Sequence, residues 1–172
     1  MIILGAVAVI VLGLFVFDTY LPSRVRVERS LLIRAPAGRI FIFVNTLRNW
    51  PKWCPWHGHD PKMKIAYSPT DSGPGAVYTW KSRNPNIGKG SLVITESRTN
   101  EYIANEMNLM QQGPAKGYFR FKPAAAGTLV TWGMEADRGQ NPVRKLMGQL
   151  MDKWLGSDFE KGLRNLKKLS EI

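Results

Sequence analysis

Residues 142–170, PVRKLMGQLMDKWLGSDFEKGLRNLKKLS, set Val143, Leu146, Met147, Leu150, Met151, Trp154, Leu155, Phe159, Leu163, Leu166 and Leu169 at spacings of three and four. That period gathers them on one side of an α-helix. Asn141-Pro142 suits its start, with Asn as N-cap and Pro at the first helical position. At 1.5 Å per residue such a helix runs about 42 Å, enough to cross a whole domain. Gly148, Gly156 and Gly162 interrupt it, each at about 1 kcal/mol against Ala, and would let a neighbour approach the backbone closely. One apolar stripe of this length requires a broad apolar surface to lie on.

The residues upstream supply that surface. Val25, Val27, Leu31 and Ile33 alternate with Arg26, Glu28, Ser30 and Arg34, a period of two that predicts a strand with one buried face; Arg29 breaks the apolar register. After Ala35-Pro36-Ala37, residues 39–47 read as a short helix, and the Trp- and Pro-rich run 48–56 as a second, interrupted one. Six further strands are predicted at 63–67, 76–81, 89–96, 102–109, 117–122 and 128–135, divided by turn signals such as Asn84-Pro85-Asn86 and Gly113-Pro114. The short connections favour antiparallel pairing of neighbours. One register of each strand is apolar: Tyr78 and Trp80; Leu92 and Ile94; Ile103, Met107 and Leu109; Phe119 and Phe121; Val130, Trp132 and Met134. The other carries Lys81, Glu96, Glu106, Arg120, Lys122 and Glu135, so the sheet has one wet and one buried face. The predicted class is α+β, with a curved antiparallel sheet of about seven strands wrapped around the long C-terminal helix and two short helices after the first strand, a helix-grip.

Particular residues resemble the polyketide cyclase/dehydrase-like group of the SRPBCC superfamily, the START- and birch-pollen-allergen-like fold. They are Ile33-Arg-Ala-Pro36, Phe41-Ile-Phe-Val-Asn45, Leu47-Arg-Asn-Trp-Pro-Lys-Trp53, Pro55-Trp56, Asp60-Pro61, Gly75-Ala-Val-Tyr78, Gly88-Lys-Gly90, Ile94-Thr-Glu-Ser97, Thr128 to Met134 and Asp158-Phe-Glu-Lys-Gly-Leu163. The resemblance runs from about Val25 to the C-terminus. It implies a deep, largely apolar cavity between sheet and long helix, in a superfamily whose members bind lipids, sterols, quinones and other hydrophobic molecules and a minority of which are cyclases. It carries no fixed catalytic set onto numbered positions here.

The N-terminus differs in kind. Residues 2–17, IILGAVAVIVLGLFVF, are all apolar or Gly. A hydrocarbon core of about 30 Å takes roughly 20 helical residues, so residues 1–21 form a short single-pass anchor, with Asp18 snorkelling and Tyr20 at the interface, and residues 22–172 the domain. A cleaved signal is the competing reading; it lacks a basic n-region and a small-x-small site. Arg24, Arg26 and Arg29 follow the segment, which places the domain on the cytoplasmic side. The net charge of +11 must attract something anionic. With an anchor in the same chain, anionic lipid headgroups are the expected partner of Arg83, Lys89, Lys161, Arg164, Lys167 and Lys168, whereas the bland alternative is a solvated basic surface. Nucleic acid is not expected, because the aromatics follow the buried register instead of interleaving with Lys and Arg. Cys54 is the single cysteine and leaves the redox compartment open.

The candidate ligand-cavity lining is Trp53, Trp56, Tyr78, Trp80, Asn105, Met107, Phe119, Phe121, Trp132, Met134, Met147, Met151 and Trp154, weighed against plain core filling. Methionine repacks readily and suits an adaptable pocket. Arg29 and Asn105 are the polar residues expected to point inward, with a salt bridge at the domain rim as the alternative for Arg29. Cys54, His57, His59 and Asp60 lie within seven residues and together hold zinc-compatible donors, but their spacing fits no metal pattern, and surface-loop residues are the simpler reading. No catalytic residue, cofactor or metal is predicted. A binder or carrier of a hydrophobic small molecule is the leading functional expectation, with a polyketide cyclase-like enzyme second and a module whose groove receives a partner segment third.

Overall fold

A computed structural model describes residues 24–109, 113–137 and 142–172, without the side chains of 142–151. The expected anchor, and Asn141 as N-cap, lie outside the described residues. Among those described, no helix is long and apolar enough to cross a membrane.

The elements follow the expected order. Strand β1 (Arg24–Ile33) leads to helix α1 (Ala37–Asn45), a 3-10 helix (Leu47–Lys52) and the short helix α2 (Pro55–His59). Strands β2 (Lys64–Tyr67), β3 (Val77–Lys81), β4 (Lys89–Arg98), β5 (Tyr102–Leu109), β6 (Gly113–Ala124) and β7 (Gly127–Asp137) come next, then helix α3 (Pro142–Ser170). The strands form one antiparallel sheet in the order β1-β7-β6-β5-β4-β3-β2. Every neighbour but one is joined by a local connection; β1 closes against β7 and brings Arg24 opposite Asp137.

Most element ends differ by a residue or two from the expected ones, and the start of β6 by four. Strand β6 begins at Gly113, so Gly113-Pro114 opens the strand instead of breaking it: Gly113 sits at φ +87° in the turn, and Pro114 pairs with Asn108. The 3-10 helix carries Pro51 in a six-residue run, where the lost N–H costs little. Gly127 has φ +137°, and a Cβ there would strike the Ile33 carbonyl and the Arg34 backbone, so the β6–β7 turn fits under the end of β1 only with glycine.

Helix α3 is fastened from Asp152 to its end. Arg29 reaches across from the apolar register of β1 and donates to both Asp152 carboxylate oxygens, at 3.0 and 3.1 Å, and to Glu160 at 3.3 Å. It is thus the rim salt bridge rather than an inward-pointing cation. At the far end Arg34 N–H donates to Glu171 at 2.6 Å, Lys167 to the Leu32 carbonyl at 3.0 Å, and Arg39 to the Ile172 carbonyl at 2.8 Å.

The wet face of the sheet has one dry spot. Tyr118, on the outer register of β6, is buried because its ring lies flat over Gly133, where a Cβ would occupy the same space. Its hydroxyl donates to Glu28, Arg26 donates to it, and Arg120 covers the ring at 4.5 Å. The Tyr118 hydroxyl and Arg26 hold the Glu28 carboxyl below its usual range.

Candidate functional site

The concave face of the sheet divides into two halves of different bulk. Toward the end of α3, Trp132 stacks on Phe119 and lies parallel to Phe159 at 4.1 Å between ring centres, and Trp53 meets Trp132 edge-on. Phe121 meets Phe41 edge-on at 5.6 Å. The indole N–H groups of Trp50 and Trp53 donate to the Val44 and Phe43 carbonyls, which locks the segment after α1 into this core. Trp56 donates to Asp158 of α3 and packs on Trp132. Leu163 and Leu166 fill the remainder, and this half is solid.

Toward the start of α3 the same face is paved with small residues. Ala115 pairs with Met107 and Ala136; Gly117 pairs with Asn105 and Met134. A Cβ on Gly117 would collide with the Asn105 carboxamide, which lies across the bare backbone. Asn105 is 2% exposed, and its Oδ1 has no hydrogen-bond partner. On β3, Tyr78 continues the row Met107–Leu92–Tyr78 and is buried against Trp80 and Trp50. His57 of α2 stacks on Tyr78 at 6.0 Å, is 9% exposed, and has no partner at either ring nitrogen. Burial pulls its pKa down to about 4 and pushes the neighbouring Cys54 thiol up to about 12. Both groups are neutral near pH 7.

Of the sequence candidates, Tyr78, Trp80, Asn105, Met107 and Met134 border the small-residue half. Trp53, Phe119, Phe121 and Trp132 belong to the solid half, and Trp56 sits at its margin. Trp154 is corrected: it is 61% exposed, because the helical position that follows the Arg29–Asp152 clamp turns outward to solvent. The side chains of Met147 and Met151 lie outside the description. The zinc-compatible cluster is dispersed. Cys54 is buried in the core, His57 faces Tyr78, His59 pairs with Asp158 at 3.4 Å, and Asp60 accepts from Ser82 at 2.5 Å. No group of three or more potential metal ligands occurs among the described residues. Cys54 and His57 are thus core residues, not surface-loop ones. The bare floor at Ala115 and Gly117 was missed from sequence, although both stand in the inward register of Phe119 and Phe121.

Two concavities formed by described residues lie on the wet face. One, of about 290 Å³, is bordered by Tyr102, Glu106, Lys116, Tyr118, Arg120 and Glu135, and another, of about 500 Å³, by Glu96, Arg98, Glu101 and Lys122. Their charges alternate in sign, which suits neither an apolar ligand nor a polyanion.

Comparison with known proteins agrees with this architecture. No protein of curated function matches the chain by sequence. Among solved structures, a protein from Chromobacterium violaceum is 14% identical and superposes with a TM-score of 0.62 over 86% of this chain and 99% of its own. A Staphylococcus aureus protein of unknown function is 14% identical, with a TM-score of 0.65 over 86% and 94%. The di-domain aromatase/cyclase StfQ of the steffimycin biosynthetic pathway is 13% identical, with a TM-score of 0.66 over 86% of this chain and 51% of its own. At these identities the likeness is one of fold. Residues 24–171 match the family described as polyketide cyclase / dehydrase and lipid transport, and the chain belongs to that family.

Proposed function

We propose that the protein binds or carries a hydrophobic small molecule between the small-residue half of the sheet and the first half of α3, next to a membrane that holds its N-terminus. One observation carries the reading: on a single concave face, bulky aromatics fill the half under Phe159, while Ala115, Gly117 and Ala136 leave the β6–β7 part of the other half nearly bare. A buried face is otherwise packed to crystal-like density, so such a floor suits an added apolar molecule. The open half also neighbours Arg24 and Asp137, the end at which the apolar N-terminal run enters. A tether there would set the cavity mouth beside the bilayer, where lipids, quinones and related hydrophobes dissolve, and the basic surface would favour an anionic leaflet.

A cyclase- or dehydrase-like reaction on the bound molecule is the second reading. His57, an inward imidazole, favours it; a pKa of about 4 makes that imidazole a weak base at pH 7, so binding comes first.

Native mass spectrometry of the detergent-purified full-length chain tests the proposal. The expected result is a population carrying one added mass of a few hundred daltons, extractable into organic solvent and identifiable. Only bare protein, from several membrane-rich preparations and after incubation with total lipid extract, would overturn it.

A further inference from the structure

Three orphaned polar atoms face the same interior, and they specify more than an oily ligand. The Asn105 carboxamide oxygen and both His57 ring nitrogens are buried without partners. Leaving such a group unmet costs about 1–3 kcal/mol each, which natural interiors rarely tolerate. The only other orphan among the described residues, the Ser170 hydroxyl, lies at the opposite end of α3.

The two residues stand on one surface. Asn105 lies two residues along β5 from Met107, which pairs through Leu92 to Tyr78, and His57 stacks on the Tyr78 ring. Strand spacings put Asn105 and Tyr78 about 12 Å apart along the sheet. The floor between them is apolar, made by Leu92, Ile94 and Met107, and Asn105 stands where it meets the bare backbone of Gly117. In its neutral form His57 offers one N–H donor and one bare nitrogen, while Asn105 Oδ1 can only accept.

We propose that His57 and Asn105 are the polar anchors of the bound molecule, which is therefore a rigid, oxygenated hydrophobe with a carbonyl at one end and a hydroxyl at the other, not a hydrocarbon chain. The His57 N–H donates to the carbonyl oxygen. The hydroxyl donates to Asn105 Oδ1. This rests on the cavity reading above and deepens it, because a pure hydrocarbon would bury both groups unmet.

Three fluorescent probes of one shape separate the two claims: 6-acetyl-2-naphthol, 6-methoxy-2-acetonaphthone, in which the hydroxyl donor is blocked, and 2-ethylnaphthalene. Titration into the full-length protein in detergent is expected to rank them in that order, about tenfold per hydrogen bond. Asn105→Leu should bring the first probe level with the second and leave the third unchanged. His57→Phe should remove the advantage of the ketone. Asn105→Leu should also raise the unfolding midpoint, since it deletes an orphaned group, whereas loss of a structural polar residue would lower it. Asn105→Ala and His57→Gln serve if either larger variant misfolds. Equal binding of all three probes, or equal weakening of all three by both variants, overturns the anchors and leaves the cavity standing. No binding of any probe, 2-ethylnaphthalene included, overturns both.

Discussion

His57 shows how much one residue's surroundings decide. Its imidazole is shut between α2 and the Tyr78 ring with no partner for either nitrogen, so adding a proton there strands a charge in an apolar place. Burial lowers its pKa from 6.5 to about 4. Between those values the unfolded chain takes up a proton that the folded chain refuses, so stability falls as pH drops from about 6.5 toward 4 and loses nothing more to this group below that. The loss is on the order of 2 kcal/mol. Cys54, at about 12, and Tyr78, held well above 10 by burial, stay neutral throughout that window and do not offset it. Urea denaturation at pH 7 and pH 4.5 should show a steeper acid loss for the native chain than for His57→Phe; parallel losses would mean that the ring is solvated. From sequence, His57 resembled a zinc ligand because Cys54, His59 and Asp60 stand beside it. Chain proximity does not show which way a side chain turns, and a five-residue helix sent these four in different directions. Asn105 was legible, because a polar residue between Ile103 and Met107 in the inward register has nowhere else to go.

At the scale of elements, the helical period of residues 142–170 and the two-residue period of the strands were readable because burial enforces both. What the period could not reveal is that one helix covers two kinds of floor. Its glycines show how the contact is made. At Gly162 a Cβ would press on the Trp132 ring and on Pro55, and Trp132 is held by Phe159, Trp53 and Phe119. At Gly156 the nearest atoms that a Cβ would meet belong to the Arg29 guanidinium, the far end of a long side chain held in an ion pair. Alanine gains about 1 kcal/mol of helix propensity at either position. Overpacking against a fixed ring costs about 1–3 kcal/mol, while shifting a partly exposed ion pair costs about 1 or less. Gly162→Ala should therefore destabilise by up to about 2 kcal/mol, and Gly156→Ala should be near neutral or slightly stabilising. Chemical denaturation of the two variants decides it; equal effects would mean that the helix does not sit down on Trp132. Trp154 was misassigned because three-and-four spacing spans a wide arc, and the Arg29 clamp fixes the rotation that turns this residue outward.

For the whole molecule, the meander from β2 to β7 folded over one long helix was legible, since short loops permit few other pairings, whereas no short loop fixes the closure of β1 against β7. The proposed binding floor was not legible, because it is an absence of side chains, and only the register of Ala115 and Gly117 on β6 beside Ala136 on β7 points to it. The family fixes the frame; on the function proposed above, which hydrophobe it would take depends on that floor, on Asn105 beside it and on His57. Filling the floor is the direct test. Ala115→Leu places three more carbon atoms above the sheet. If room exists there, the variant keeps its unfolding free energy within about 0.5 kcal/mol of the native chain and loses the co-purifying mass. A drop of about 1–3 kcal/mol, the cost of overpacking a full core, with ligand binding unchanged, would contradict the account.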